Sequence, residues 1–340
     1  MNIAIIGCGA IAKTRHAPAV AAHPEAALYA VCDPVKANAD ALAKATGAKA
    51  VYKLEDVLAD TAVDAVIVCT PERFHCTGVI AALAAGKDVL CEKPLAMDPQ
   101  EGRAILTAWQ KSGRKLMVAF SQRLTAEHQL AKKLLAQGAI GKPIAFRTAL
   151  AHHGVEYATI AAPGPDFYDK KLAGIGDVML SVGCHRLDLM PYLFGSGIKA
   201  VSALTPTIDK TYADGSPIGA ADHAMVTAEL ENGIVGTLWI SWCAYGAMER
   251  QTLIYGTEGS MSIYEAPGIV VRRRDGTQQN YETAPDPEEG RRITANFIDF
   301  VNGAGDAVCD GRDGQACLLA LEAVKRAHRE GRRVAVAEIE

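Results

Sequence analysis

The chain has 340 residues, of which 49% are hydrophobic and 22% charged, and its formal net charge is −4. This length allows two domains, each with its own hydrophobic core. A mildly acidic chain without a basic block gives no support to binding of nucleic acids or other polyanions, and no apolar run reaches the ~18 residues of a membrane span.

The cysteine pattern and the start of the chain indicate a cytoplasmic protein. The nine cysteines are scattered, and no Cys-x-x-Cys pair occurs that would indicate a zinc ribbon or a redox motif. Buried, reduced thiols are the simpler interpretation. Because the sequence opens directly on a predicted strand, we expect no signal peptide.

The first twelve residues have the pattern of a nucleotide-binding turn. An apolar run from Met1 to Ile6 predicts a strand, and an alanine-rich segment after residue 12 is compatible with a helix. Between them, Gly7 permits an unusual backbone conformation, Gly9 allows a pyrophosphate to approach the main chain, and Ala12 allows close helix packing. The helix N-terminus offers N–H groups to phosphate. The predicted cofactor-binding turn comprises Gly7, Gly9, Ala10, Ile11 and Ala12.

A carboxylate follows the second predicted strand. The apolar run from Ala27 to Cys32 ends at Asp33, which is placed to accept hydrogen bonds from the adenosine ribose. An ordinary turn aspartate before Pro34 is the alternative. Asp33 favours NAD because it would repel a 2′-phosphate, although the nearby Lys36 leaves NADP possible.

Strands and helices alternate through the first 122 residues, which predicts an α/β Rossmann domain with a doubly wound parallel sheet. Ligands bind such sheets at the carboxyl ends of the strands, where Thr70, Pro71, Lys93 and Gln122 fall. The predicted elements are helix 36–46, strand 50–52, helix 54–58, strand 62–69, helix 75–85, strand 88–91, helix 98–112 and strand 116–120.

The pattern changes beyond residue 122. Frequent turn signals such as Asn232-Gly233 predict hairpins, and therefore an α+β second domain over residues 123–340 with a large, mainly antiparallel open sheet. The predicted elements are helix 126–137, strand 144–151, helix 178–194, strands 201–208, 224–230, 234–242, 250–256, 260–264 and 269–273, and helices 291–302 and 313–330.

The Glu92-Lys93-Pro94 sequence follows the fifth predicted strand. A lysine between a strand and a proline is more restricted than a surface lysine, although a solvated loop lysine is the alternative. Its position at the ligand edge of the sheet favours a role in proton transfer or charge stabilisation.

Together these motifs resemble the Gfo/Idh/MocA oxidoreductases, which include glucose–fructose oxidoreductase and inositol dehydrogenase. The resemblance covers nearly the whole chain, and it implies a Rossmann domain followed by a domain whose open sheet often forms subunit contacts. We therefore expect a homodimer or homotetramer. The motifs are Gly7-x-Gly9-x-x-Ala12, Asp33, Thr70-Pro71-x-x-x-His75, Glu92-Lys93-Pro94, Gly174-x-Gly176 and His185-x-x-Asp188.

The resemblance also implies residue roles. Lys93 corresponds to the catalytic lysine near the nicotinamide, and His185 to the histidine that binds the substrate and assists proton transfer. Many inositol-dehydrogenase-like members have an aspartate where this chain has Ser181, which faces the same side of the helix as His185 but cannot carry a negative charge. Asp188 could orient His185 or be structural. The cofactor residues implied beyond the glycine turn and Asp33 are Thr70, Pro71, His75, Glu92, Lys93 and Gln122.

Further substrate-binding candidates are polar residues in the predicted loops, for each of which an exposed loop residue is the alternative. Arg123 follows the sixth strand, His152 precedes His153 at the end of a strand, and Asp166 lies in a Pro/Gly-rich loop. The double histidine lacks a third ligand at metal spacing, so we expect no metal site. Lys93, Ser181 and His185 complete the predicted substrate site.

The sequence therefore predicts an NAD-dependent dehydrogenase that acts on a secondary hydroxyl of a sugar, cyclitol or sugar derivative. The first alternative is a redox-neutral enzyme that oxidises a sugar transiently, eliminates a glycosidic substituent and re-reduces the product. The second is a non-catalytic regulator that senses NAD. Retention of Lys93 and His185 disfavours the regulator.

Overall fold

The computed structural model describes residues 1–154, 177–212, 214–265, 268–284 and 286–339. Contacts divide the chain into two units. The first comprises Met1–Ser121 and Glu288–Leu318, and the second comprises Gln122–Pro287 and Leu319–Glu340. Segment Glu288–Leu318, which the sequence places in the second domain, thus groups with the first unit.

The sheet of the first unit is parallel throughout. Its strands are β1 (Asn2–Ile6), β2 (Ala27–Cys32), β3 (Lys49–Val51), β4 (Ala65–Val68), β5 (Asp88–Cys91) and β6 (Leu116–Val118). They are ordered β3-β2-β1-β4-β5-β6, and every adjacent pair is parallel. This confirms the predicted doubly wound sheet. The strand order reverses between β1 and β4, which is where such sheets bind nucleotides.

Helices connect these strands, as the sequence predicts. They are α1 (Ala17–Ala22), α2 (Lys36–Thr46), α3 (Leu54–Ala59), α4 (His75–Ala84) and α5 (Pro99–Ser112). Local chemistry sets their ends: Asp98 accepts a hydrogen bond from the Glu101 N–H at 2.9 Å, and Gly113 ends the same helix with φ +63°. One helix departs from expectation, because a π-helical turn, Ala12–His16, precedes α1.

Residues Glu288–Leu318, called the returning segment below, complete the core of the first unit. This segment contains α8 (Arg292–Asn302), whose residues Ile293 and Phe297 are fully buried, and the start of α9 (Gly311–Glu330). A Cβ at Gly102 of α5 would lie 2.7 Å from the Leu318 side chain, so the two helices pack closely there. Helix α8 also packs against α1.

The second unit contains α6 (Ala126–Ala136), α7 (Cys184–Phe194) and, among the described residues, a nine-stranded sheet. Among the described strands, β7 and β10 pair in parallel and the other adjacent pairs are antiparallel. The strands are β7 (Pro143–Ala151), β8 (Ile198–Leu204), β9 (His223–Leu230), β10 (Val235–Ser241), β11 (Thr252–Gly256), β12 (Gly259–Ile263), β13 (Ile269–Arg273), β14 (Gln278–Tyr281) and β15 (Val334–Ala335). Strands β14 and β15 are absent from the sequence prediction, which otherwise finds the correct class of sheet.

The two faces of this sheet differ. Along β9, buried and exposed residues alternate: Ala224 and Val226 are buried, whereas the Met225 side chain between them is 58% exposed. The buried face packs on helix α7, with the Phe146 and Phe194 rings 5.5 Å apart. The other face holds a depression of about 440 Å³, and its lining includes Arg147, Met225, Thr227, Thr237 and Trp239. In the described residues, no helix is long and apolar enough to span a bilayer.

Candidate active site

The glycine turn has the geometry that a dinucleotide needs. Gly7 has φ +93°, and a Cβ there would lie 2.6 Å from the Cys69 carbonyl oxygen. A Cβ at Gly9 would meet no atom of a described residue within 4 Å, so the main chain is open to a ligand at this point. Ala12 is fully buried, whereas Ile11 is exposed. The turn therefore fits a pyrophosphate held by the first N–H groups of the helix.

Asp33 serves the turn as well as the predicted ribose site. Its Oδ2 accepts a hydrogen bond from the Cys8 N–H at 2.9 Å, and its Oδ1 accepts one from the Val35 N–H at 2.9 Å. A carboxylate has about four acceptor positions, so these two bonds leave capacity for the ribose hydroxyls. The turn interpretation and the nucleotide interpretation of Asp33 are thus compatible.

His75 connects the loops that follow β4 and β5. Its Nε2 lies 2.9 Å from the Thr70 carbonyl oxygen, and its Nδ1 lies 2.7 Å from the Pro94 carbonyl oxygen. Because both ring nitrogens face backbone carbonyls and the ring is buried, the geometry gives His75 a role in holding these loops together. The Thr70 Oγ1 is buried and has no hydrogen-bond partner among the described residues, and Pro71 precedes a short 3-10 turn.

The Glu92 carboxylate is held from several directions. Its Oε1 lies 3.0 Å from His16 Nε2 and 3.4 Å from Arg15 Nη1, and its Oε2 accepts the Lys93 N–H at 3.0 Å. Burial alone would raise the pKa of Glu92, but the hydrogen bond from His16 and the positive charge of Arg15 lower it well below its usual range. Glu92 is therefore ionised next to Lys93, which is joined to Pro94 by a cis peptide bond.

His185 is the second residue of α7 in the second unit. A π-helical turn, Met179–Gly183, precedes this helix and contains Ser181. The Asp177 Oδ1 accepts the N–H groups of Met179 and Leu180 at 3.1 and 3.0 Å, so Asp177 caps the start of the helical segment. The sequence leaves Asp177 unassigned, and the structure gives it this positional role.

Arg123 and Asp188 form a buried ion pair. The Arg123 Nε donates to Asp188 Oδ2 at 2.9 Å, and its Nη2 donates to Oδ1 at 2.6 Å. Both side chains are almost fully buried. A two-point pair of this kind fixes α7 to the chain that follows β6, and it engages a guanidinium that the sequence interpretation assigns to substrate binding.

Arg186, next to His185, is absent from the sequence prediction although it is fully buried. It donates to the Ala149 and Arg250 carbonyl oxygens at 3.0 and 2.8 Å, and to the Gln122 Oε1 at 3.1 Å. Burial lowers the pKa of Arg186 to about 10. Gln122, predicted to bind the cofactor, thus contacts a buried arginine of its own unit.

The remaining candidates divide as follows. His152 lies after β7, and its Nδ1 accepts the Gly154 N–H at 3.1 Å. Asp166, with Phe167, Tyr168, Gly174 and Gly176, lies outside the described residues. Lys93 belongs to the first unit and His185 to the second. The first unit also contains Gly7, Gly9, Ala10, Ile11, Ala12, Asp33, Thr70, Pro71, His75 and Glu92, and the second contains Gln122, Arg123, His152 and Ser181.

Comparison with known protein families agrees with this architecture. Residues 1–120 match the oxidoreductase family with an NAD-binding Rossmann fold named Gfo/Idh/MocA. Residues 128–262 match the Gfo/Idh/MocA C-terminal domain.

Individual relatives include sugar and cyclitol dehydrogenases. The levoglucosan dehydrogenase of Pseudarthrobacter phenanthrenivorans is 30% identical over 77% of this chain and 73% of its own. The inositol 2-dehydrogenase of Rhizobium meliloti is 26% identical over 99% of both chains. A solved structure of levoglucosan dehydrogenase in complex with NADH is 25% identical, with a TM-score of 0.89 over 99% of both chains.

These similarities confirm the predicted fold, the predicted cofactor and the oxidoreductase class. The chain therefore belongs to the Gfo/Idh/MocA family of oxidoreductases, and its first unit is the NAD-binding Rossmann domain of that family.

Proposed function

We propose that this enzyme oxidises a secondary hydroxyl of a sugar, cyclitol or sugar derivative, with Lys93 and His185 as its catalytic residues. The observation that carries the proposal is the placement of Lys93. It follows the carboxyl end of β5, next to an ionised Glu92 that accepts its N–H, in the same unit as the open glycine turn. The names of the sugar and cyclitol dehydrogenases among the relatives support the substrate class.

The proposed roles follow from the chemistry of alcohol oxidation. Removal of the hydroxyl proton requires a base, and His185 supplies an imidazole at the start of α7. The ammonium group of Lys93 would stabilise the negative charge that develops on the substrate oxygen. Ser181 offers a hydroxyl for hydrogen bonding to the substrate, and Arg123, His152 and Asp166 remain candidates for the same site.

NAD, when bound, supplies the hydride acceptor for this reaction. The open main chain at Gly9 and the free acceptor capacity of Asp33 fit its pyrophosphate and its adenosine ribose. Ala10, Ile11, Thr70, Pro71 and Gln122 complete the proposed cofactor set, with His75 and Glu92 supporting the loops. Asp33 favours NAD over NADP, and a comparison of kcat/KM with both cofactors measures that preference.

A panel of sugars, inositols and sugar acids, assayed for NADH formation, tests the reaction. Substitution Lys93→Ala should lower kcat by ~100-fold or more, because charge stabilisation at the reacting oxygen is lost, while the Kd for NAD stays within about twofold. Full activity of that variant would refute the role of Lys93. Release of an aglycone without accumulation of NADH would instead establish the redox-neutral alternative.

The open sheet face supports a homo-oligomer, dimer or tetramer, as the second part of this proposal. Met225 and Val235 are at least half exposed there, on a wide and partly apolar surface that a second copy would cover. Sedimentation velocity would measure the assembly. We also place the enzyme in the cytoplasm, since reduced thiols such as Cys8 and Cys32 lie buried within the first unit.

A further inference from the structure

The surroundings of Glu92 bring together three parts of the chain that are far apart in sequence. His16 is fully buried at the end of the π-helical turn, and its two ring nitrogens have different partners. Its Nε2 lies 3.0 Å from Glu92 Oε1, and its Nδ1 lies 2.8 Å from the Thr294 hydroxyl. Thr294 is fully buried on α8, in the returning segment.

The ionised state of Glu92 determines the direction of its hydrogen bond with this histidine. An ionised carboxylate can only accept, so the Nε2–H of His16 donates to Glu92. At the other ring nitrogen, the Thr294 hydroxyl can act as either donor or acceptor, so it can hydrogen-bond to Nδ1 in each protonation state of the ring. The chain of bonds from Thr294 through His16 to Glu92 is therefore continuous.

Glu92 also holds the main chain of Lys93 in place. Its second oxygen accepts the N–H of Lys93 at 3.0 Å, which fixes the main chain from which the lysine side chain extends. The positive charge of Lys93 also interacts favourably with the carboxylate. Arg15 supplies a further contact at 3.4 Å, so that Glu92 has little freedom to turn.

We infer that Glu92 is a positioning residue for Lys93, and that His16 and Thr294 hold Glu92 in the orientation this requires. The inference rests on the proposed catalytic role of Lys93. It assigns a part in catalysis to the returning segment, which contributes Thr294. Glu92 acts through Lys93, and neither His16 nor Thr294 needs to contact the substrate.

Substitution Glu92→Gln tests the inference against a matched control on the same strand. The glutamine keeps the shape but loses the charge, and it has one acceptor oxygen where Glu92 uses two, one for the Nε2–H of His16 and the other for the N–H of Lys93. Asp88, at the other end of β5, is also a buried carboxylate, and it pairs with Arg114 at 2.7 Å. Asp88→Asn should therefore reproduce the loss of a buried, ion-paired carboxylate without disturbing Lys93.

We expect Glu92→Gln to lower kcat by ~10- to 100-fold, with the KM for NAD within about twofold, whereas Asp88→Asn lowers Tm but keeps kcat. Thr294→Val should lower kcat about 2- to 10-fold, and Thr294→Ser, which keeps the hydroxyl, should restore it. Equal kcat losses in Glu92→Gln and Asp88→Asn would overturn the inference, as would equal kcat values in the two Thr294 variants.

A second measurement does not need turnover. The rate at which acetic anhydride labels Lys93, followed by peptide mass spectrometry, should change at least about twofold in Glu92→Gln and stay unchanged in Asp88→Asn, because the carboxylate oxygen that holds the Lys93 N–H is replaced only in the first variant. Equal labelling rates in these two variants would refute the coupling. Absence of turnover in the wild-type enzyme, or full activity of Lys93→Ala, would instead refute the proposed function.

Discussion

The two sheets of this enzyme differ in how their strands are buried. Every residue of β4 and β5 in the first unit is buried, so neither face of these two strands is accessible. In the second unit, β9 alternates between buried and exposed residues, and one face of the sheet remains accessible. The first arrangement suits a ligand at the strand ends, and the second suits a broad surface contact.

The largest expected effect is a difference in the stability that the protein loses when one apolar side chain is truncated in each sheet. Ile67 at the centre of β4 is fully buried, so Ile67→Ala should lower the free energy of unfolding by about 2–5 kcal/mol. Met225→Ala on the exposed face should cost less than about 1 kcal/mol at low protein concentration, because its side chain is largely hydrated there. Urea unfolding of both variants measures the difference, and a similar cost would mean that the second face is covered within a single chain.

The next effect concerns the carboxyl edge of the first sheet. Gly9→Ala should weaken NAD binding by about tenfold or more without lowering Tm, because a methyl group would occupy the open approach to the main chain. Gly7→Ala should lower Tm as well, since the positive φ and the Cys69 carbonyl both oppose a side chain. Calorimetric titration with NAD and thermal unfolding distinguish the two; unchanged NAD affinity in Gly9→Ala would contradict the proposed phosphate site.

The third effect, which depends on pH, is a difference in acid sensitivity between the units. Burial, aided by the nearby charge of Arg186, lowers the pKa of His128 in the second unit from 6.5 to about 3. Between these two pH values, His128 is protonated in the unfolded chain but neutral in the folded protein. The free energy of unfolding therefore falls as the pH drops below 6.5, by up to about 1.4 kcal/mol per pH unit. Glu92 in the first unit, whose pKa is lowered, loses its contribution only as the pH falls below 4.5.

Replacing His128 by glutamine, a neutral side chain of similar size, should therefore flatten the dependence of stability on pH between 6.5 and 5. Urea unfolding at half-unit pH intervals gives the slope. An unchanged slope in His128→Gln would show that other groups cause the acid sensitivity of the second unit.

Much of the fold was predictable because it depends on local patterns. The apolar run of β5 and the glycine that ends α5 identify those elements directly, and all seven predicted strands of the second sheet form. Strand β14, with the sequence QQNY, carries no apolar pattern and is stabilised by pairing with β13, so no local signal predicts it. The grouping of Glu288–Leu318 with the first unit depends on distant packing, which periodicity does not report.

The candidate site divides in the same way. The positions of Asp33 and Lys93 just after β2 and β5 were predictable from the apolar runs before them, and the ends of parallel strands mark the ligand edge of a sheet. His16 lies 76 residues from Glu92, and Arg186 lies 64 residues from Gln122, so neither pairing follows from sequence spacing. A buried histidine or arginine gives no sign of its partner until the fold brings them together.

The returning segment has a consequence for how the enzyme is made. The ribosome completes residues 1–121 long before it reaches Thr294 and Phe297, which fill the same unit. The apolar surface that α8 covers would therefore stay exposed on the nascent nucleotide-binding unit until residues 292–302 have been translated. A stop codon after residue 121 would leave this unit without its closing helices, and its product is a natural target for proteases and chaperones.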